Sequence, residues 1–316
     1  MKGTIVGGLE KGISGISLGT SLYGALAEGS AAEADFIEAI RFAVENGVVS
    51  IDTARGYLGG RCESFLGSVL SEYNLSEKVI VATKLQYMGY DETIAEVEKS
   101  RTALRRDCID IMYIHWPKGN NDLRPMMRAL EHCRKEKRIA LIGVSNFSVA
   151  QLESVSGAGK VDIVQMGYNL LWRIHEKELI PYCAQKGIAI TTYSSLAQGI
   201  LTGKFDRKPD FGPQDNRNRS IFFEDAYWPS VHRAVEEMKA LAESQGCSLT
   251  DLALNWLLSK KEIASVVVGA RDRTQLGMII ESEKKDVASA MAGLTAISDR
   301  LVEQLPAQGN IFQYYP

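Results

Sequence analysis

Eight short runs of apolar and β-branched residues punctuate the chain. They are GISLGT (15–20), VVSIDTA (48–54), VIVATKL (79–85), IDIMYIH (109–115), IALIGVS (139–145), VDIVQMGY (161–168), IAITTYS (188–194) and ASVVVGA (264–270). They run continuously rather than in strict alternation, the pattern of strands buried on both faces. Segments of helical period lie between them. Phe36, Ile37, Ile40 and Val44 form one stripe, with Asp35, Glu38, Arg41 and Glu45 elsewhere. Ser30 followed three residues on by Glu33 is a capping-box start, and Gly47 is a stop. DETIAEVEKSRTALRRD (91–107) repeats the pattern through Ile94, Val97 and Leu104.

The spacing is regular except after the seventh run. There a polar loop, DRKPDFGPQDNRNRS (206–220), and two helical segments, 230–245 and 249–260, precede the eighth. Eight βα units predict an α/β fold, a single (β/α)8 TIM barrel over residues 1–316 with a long insertion between strands seven and eight. A doubly wound sheet is the alternative, because periodicity does not show closure. No Pro/Ser/Gly linker divides the chain.

Composition narrows the partners. The 316 residues are 45% hydrophobic and 24% charged, with net charge −3 and pI near 5.9, so nothing favours a nucleic acid. RKEKR (134–138) reads as the solvated end of a helix. Five cysteines without a CxxC pair indicate neither a disulfide framework nor a zinc site, and a reducing cytoplasm fits. No apolar run reaches the roughly 18 residues of a membrane span, and the N-terminus lacks a leader pattern. The four histidines (His115, His132, His175, His232) are dispersed and no HExxH is present, so no metal is expected. GGLEKG (7–12) and GILTGKF (199–205) fail as phosphate loops in context and spacing.

In a barrel, chemistry sits at the C-terminal ends of the strands. Strand two ends in Asp52, with Tyr57 in the loop behind; strand three carries Lys84 and strand four His115. Ser145 and Asn146 end strand five, Gln165 lies in strand six, Tyr193 and Ser194 in strand seven, and Gly269 and Arg271 at strand eight. Each alone has a bland reading as a cap, a loop aromatic or a core histidine. Together, acid, phenol, amine and imidazole on one rim point to proton transfer to a carbonyl oxygen. A free tyrosine titrates near 10, and a neighbouring ammonium lowers that value. Asp52 would position Lys84, Lys84 would tune Tyr57, and a neutral His115 would hydrogen-bond the carbonyl oxygen. A Schiff-base lysine, as in barrel aldolases, is the rival for Lys84, but it accounts less well for Tyr57 and the amides.

The chain resembles the aldo-keto reductase family. IDTARGYLG, VATKL and YIHWP are similar to its acid–tyrosine, lysine and histidine segments. IGVSNFS (142–148), QMGYNLL (165–171), YSSLAQGILTGK (193–204) and VGARDRTQL (268–276) are similar to its successive cofactor segments. The resemblance implies a Tyr57, Lys84, Asp52, His115 tetrad and a nicotinamide cofactor bound without a Rossmann fold. Ser145, Asn146 and Gln165 would hold the carboxamide, with Tyr193 on the ring. Ser194, Ser195, Leu196, Gly199, Leu201 and Lys204 would follow the pyrophosphate, with Arg217 or Arg219 of the insertion folded over it. Gly269, Ala270, Arg271 and Gln275 would surround the adenosine end. Arg271 would pair with a 2′-phosphate, making NADPH (NADP+) the expected cofactor and NADH the lesser one. The implied activity is reduction of small or sugar-like aldehydes and ketones. The alternative is a cofactor-binding regulatory subunit with vestigial activity, as some relatives of potassium channels are.

The sequence departs from the family at Cys62, Ser195 and Val268. Met278 and Ile279 stand where an acid and an asparagine usually meet the adenine. Tyr23, Trp116 and Tyr87, with Trp172, Tyr227 and Trp228, are candidate pocket walls by position. The aromatic tail IFQYYP (311–316) could close the barrel mouth, pack on another subunit or dock on the surface.

Overall fold

A computed structural model describes residues 3–119, 121–213, 215–307 and 310–312. A short antiparallel ribbon opens the chain, β1 (Gly3–Thr4) pairing with β2 (Ile13–Ser14). Eight parallel strands follow: β3 (Ile16–Gly19), β4 (Ser50–Asp52), β5 (Ile80–Leu85), β6 (Ile109–Ile114), β7 (Ile139–Ser145), β8 (Ile163–Gly167), β9 (Ala189–Tyr193) and β10 (Ile263–Gly269). Each lies within one of the eight apolar runs, give or take a residue. β10 pairs back onto β3, with Val266 beside Ile16 and Gly269 beside Gly19, so the sheet closes. This is the expected (β/α)8 barrel, and closure rules out the doubly wound alternative.

The surrounding helices are α1 (Ala31–Glu45), α2 (Arg61–Glu72), α3 (Tyr90–Leu104), α4 (Arg124–Lys135), α5 (Val149–Val155), α6 (Leu179–Lys186), α7 (Trp228–Ser244), α8 (Leu249–Leu258), α9 (Arg273–Ser282) and α10 (Met291–Val302). The start of α1 differs in detail from the expected capping box. Ser30 Oγ accepts from Glu33 N at 3.2 Å, but the Glu33 carboxylate reaches past Ser30 to accept from Gly29 N at 2.6 Å. Gly47 follows with φ +84°, a left-handed stop suited to glycine.

Alternate residues of a strand point to one face, so the barrel interior is built in layers. Ile80, Ala82, Ile111, Leu141, Ile163 and Ala264 make an apolar cluster with Tyr113. The loop between β1 and β2 covers it with Val6 and Leu9, and β2 adds Ile13. Tyr113 reaches across the barrel to Thr191, 3.3 Å from its hydroxyl, and needs glycine beside it on the neighbouring strand. A Cβ on Gly143 would lie 2.3 Å from the Tyr113 ring. Two residues further along the same strands come Lys84, His115 and Ser145. The pattern that builds the core therefore also delivers the site.

The insertion after β9 contains 3-10 turns at 197–202, 216–219 and 221–223, then α7 and α8. It is anchored by aromatics. Phe205, Phe211 and Phe223 meet edge to face, and Phe223 stacks on Trp228 at 5.7 Å. Near the chain end, Ile221 N donates to Ile311 O at 3.1 Å, and the Phe312 ring meets Trp172 edge-on at 6.3 Å. The start of the aromatic tail thus docks on the insertion; residues 313–316 lie outside the described residues.

Candidate active site

Asp52 is the last residue of β4, and its neighbour across the sheet, β5, carries Lys84 one inward layer above Ala82. Lys84 is only 1% exposed. Its ammonium donates to Asp52 Oδ1 at 2.5 Å and to the Thr53 carbonyl at 2.7 Å. Burial pushes the lysine pKa down, while the Asp52 charge and hydrogen bond pull it back up. The other oxygen of Asp52 accepts from Gln165 Nε2 at 2.8 Å. Gln165, expected to serve only the cofactor, also braces the acid.

The ammonium lies 5.4 Å from the centre of the Tyr57 ring. Tyr57 is half-buried at the start of a short turn whose next three residues, Leu58, Gly59 and Gly60, all have positive φ. His115 follows β6, its ring edge-on to Tyr57 with 5.9 Å between centroids. Burial, then the Lys84 charge, push its pKa down to about 3, so the imidazole is neutral at ordinary pH. The structure brings all four members of the expected tetrad together.

The amide set is knitted to the same rim. Asn146 Nδ2 donates to the His115 carbonyl at 3.0 Å and to Ser145 Oγ at 2.9 Å, and Tyr193 OH donates to Asn146 Oδ1 at 2.7 Å. The Tyr193 ring meets Trp172 edge-on at 5.8 Å. Asn169 donates to the Ser194 carbonyl at 2.8 Å, and Gln198 donates to Ser194 Oγ at 2.6 Å. Asn146, Ser194, Ala197 and Gln198 all adopt the left-handed region, as does Gly199 at +93°. Non-glycine residues held there store strain, typically at binding sites.

The residues present fit a dinucleotide. Lys204 is exposed as a residue, yet partial desolvation of its ammonium, then the charges of Arg217 and Arg271, push its pKa down. Arg217 and Arg271, from separate segments, are thus both within electrostatic reach of Lys204, a local excess of positive charge that suits a polyanion. Gln198 Oε1 is buried there without a hydrogen-bond partner, an acceptor open to a donor.

Several expected contacts have other engagements. Ser195 Oγ donates to the Val267 carbonyl at 2.7 Å, and the Leu201 and Ala270 side chains are buried in the core. Gly269 is exposed, with Leu22 beside it. Gln275 Oε1 accepts from Arg271 N at 3.1 Å, bracing the loop that carries the arginine. Arg217 is chelated by Asp215 and lies over the Phe211 ring at 4.0 Å. Met278 is 59% exposed and Ile279 buried, and neither side chain offers adenine a strong hydrogen bond.

Among the candidate pocket walls, Tyr23 is placed in the helical shell. It is 3% exposed and stacked on Phe65 at 3.8 Å, with its hydroxyl donating to Glu33. Trp116 is largely buried with its ring 6.3 Å from His115, and half-buried Tyr87 donates to the Asp122 carbonyl at 3.4 Å. Sequence reasoning missed Gln86, whose amide lies 3.3 Å from His115 Nδ1. Its signal was present, since it follows Lys84 by two residues and so continues the inward-facing series.

Among the described residues, no group of histidine, cysteine or acid side chains is disposed to hold a metal ion, and no helix is long and apolar enough to cross a membrane. A sequence profile of the Aldo/keto reductase family matches residues 15–294. The chain belongs to the aldo/keto reductase family. An aldo-keto reductase of Bacillus subtilis is 31% identical over 279 residues, covering 85% of this chain and 84% of its own. An NADH-specific methylglyoxal reductase of Escherichia coli is 29% identical over 257 residues, covering 74% of this chain and 78% of its own. Among solved structures, a glycerol dehydrogenase of Gluconobacter oxydans superposes with a TM-score of 0.86 at 27% identity over 96% of both chains. As a member of this family the chain is an NAD(P)H-dependent oxidoreductase.

Proposed function

We propose that this aldo/keto reductase uses NADPH to reduce small or sugar-like aldehydes and ketones to alcohols, with Tyr57 as the proton donor. The observation that carries this reading is the buried Lys84–Asp52 pair set beside the Tyr57 ring. An ammonium held there stabilises the phenolate left after the phenol gives up its proton. A vestigial site in a regulatory subunit has no need to keep a charge pair out of water, which is costly to bury.

When bound, the reduced nicotinamide supplies a hydride to the carbonyl carbon. The chain's own residues manage the oxygen. Neutral His115 donates a hydrogen bond to it and sets its direction, and Tyr57 OH transfers its proton as negative charge develops there. The phenolate then recovers a proton from solvent, with Lys84 stabilising it meanwhile. Gln165 and Lys84 hold the two oxygens of Asp52, so the acid orients the amine. Ser145, Asn146 and Tyr193 would hold the nicotinamide end. The insertion loop 206–220 would lie near the cofactor, and Lys204, Arg217 and Arg271 would hold its phosphates.

The positive charge of Arg217 and Arg271 felt at Lys204 supports NADPH over NADH, because a third phosphate adds negative charge near those cations. The five free thiols suit a reducing cytoplasm. Oxidation of NADPH and of NADH with a panel of short aldehydes, ketones and sugars tests the reading. Turnover with a larger kcat/KM for NADPH is expected. Preference for NADH would overturn the cofactor assignment, and NADPH binding without turnover on any carbonyl would overturn the reaction.

A further inference from the structure

A neutral imidazole carries one proton on one of two nitrogens, and only a protonated nitrogen donates to a carbonyl oxygen. Which nitrogen of His115 holds it therefore decides whether the ring can serve the reaction. The ring's neighbours differ in what they offer. Tyr57 meets the ring edge-on, and Trp116 is tilted against it at 6.3 Å. The backbone groups of His115 are already engaged, its N–H donating to the Leu85 carbonyl at 2.8 Å and its carbonyl accepting from Asn146. Nδ1 faces the side-chain amide of Gln86, with Nε2 of that amide 3.3 Å away.

We infer that Gln86 is a positioning residue, its amide N–H donating to His115 Nδ1 and so holding the ring proton on Nε2, as a donor for the substrate's carbonyl oxygen. An amide fits this role where a carboxylate would not. A glutamate at 86 has only acceptors to offer and would draw the proton to Nδ1, leaving Nε2 as a bare lone pair aimed at another lone pair. The backbone supports the placement. Gln86 directly follows β5, whose Lys84 is fixed in the buried pair, so amide and amine are set by one strand end.

This inference rests on the reductase reading, but its test has an arm that does not. In protein labelled with 15N-histidine, long-range proton–nitrogen correlation spectra report the tautomer of each ring without substrate or cofactor. The His115 signals are assigned by their loss in His115→Asn. Wild type is expected to show protonated Nε2 and an acceptor-type Nδ1, and Gln86→Glu the reverse. Gln86→Glu should also lower kcat by on the order of a hundredfold, the cost of losing one donor to the developing oxyanion, with NADPH affinity unchanged. Gln86→Leu, which removes the bias without reversing it, should lower kcat by roughly tenfold. Protonated Nδ1 in wild type, or an unchanged tautomer in Gln86→Glu, overturns the inference whatever the activity. A reversed tautomer with undiminished kcat overturns its catalytic part. If wild type reduces no carbonyl at all, the reductase reading fails instead, while the spectra still decide what Gln86 does to the ring.

Discussion

The two ends of the barrel are built from the same strands and solve opposite problems. At the N-terminal floor the inward residues are Ile80, Ile111, Leu141 and Ile163, and Val6, Leu9 and Ile13 close over them. At the C-terminal mouth the same strands present Lys84, His115, Ser145 and Gln165, most of them buried. Burial without chemistry is stabilising and non-directional. A buried charge or amide left without a partner is costly, and at the mouth Asp52, Lys84, Gln165, Asn146 and Tyr193 are joined in hydrogen bonds, while Gln198 Oε1 is left open.

Backbone strain follows the same division. Asn74, Arg105 and Lys137 have positive φ where helices α2, α3 and α4 turn toward the next strand. A left-handed residue there helps satisfy the last helical carbonyls. Leu58, Asn146, Ser194, Ala197 and Gln198 have positive φ in the loops that follow strands β4, β7 and β9, where no long helix is being ended. The floor is shaped for stability and the mouth for positioning.

Breaking the comparison is most direct at Lys84. Lys84→Met should lower kcat on the order of a thousandfold and also cost about 3 kcal/mol in urea unfolding, because it strands Asp52 without its partner. Loss of activity with full stability would mean that the pair is not buried as described. At the other end, Leu141→Ala should cost about 3 kcal/mol through the cavity it leaves, while the folded fraction keeps wild-type kcat. A large kcat defect in that variant would show that the floor is coupled to the chemistry.

A smaller effect sharpens the account of the cofactor. Arg271→Gln should weaken NADPH binding by about tenfold and leave NADH binding within a factor of about two, read by fluorescence titration. Equal weakening of both would move the arginine away from the third phosphate.

The smallest effect concerns pH. His115 titrates near 6.5 when unfolded but at about 3 in the fold, so between those values only the unfolded chain takes up its proton. Its contribution to stability is therefore complete above pH 6.5 and declines as pH falls toward about 3. Urea unfolding at pH near 7.5 and 5.5 should show a smaller loss for His115→Gln than for wild type. An equal loss would contradict the neutral ring. The kcat profile should likewise lack a limb near pH 6.5 from His115.

Most of the barrel was legible because its signal is local. Each strand is a short run of apolar residues, and each falls in a continuous apolar stretch. Closure was not legible, since the pairing of β10 with β3 joins residues at opposite ends of the chain. That Asp52, Tyr57, Lys84 and His115 lie together was legible because strand ends and the loops behind them can be read in sequence and these residue types are unlike ordinary rim residues. What escaped depends on side-chain direction. Ser195 turns its hydroxyl to the β10 backbone and Tyr23 packs between helices, although both sit at rim positions in the sequence. Gln86 and the bracing role of Gln165 escaped for the same reason, since a spacing says which face a residue occupies but not which atom it touches.

The most direct test of the central claim, that the mouth carries out carbonyl reduction through Tyr57, compares wild type with Tyr57→Phe in NADPH oxidation against aldehydes, alongside NADPH binding and thermal unfolding. The phenyl ring keeps the packing and lacks only the hydroxyl that carries the proton. A fall in kcat on the order of a thousandfold, with binding and melting temperature nearly unchanged, is the result this account predicts. A variant that turns over aldehydes at close to the wild-type rate would contradict it.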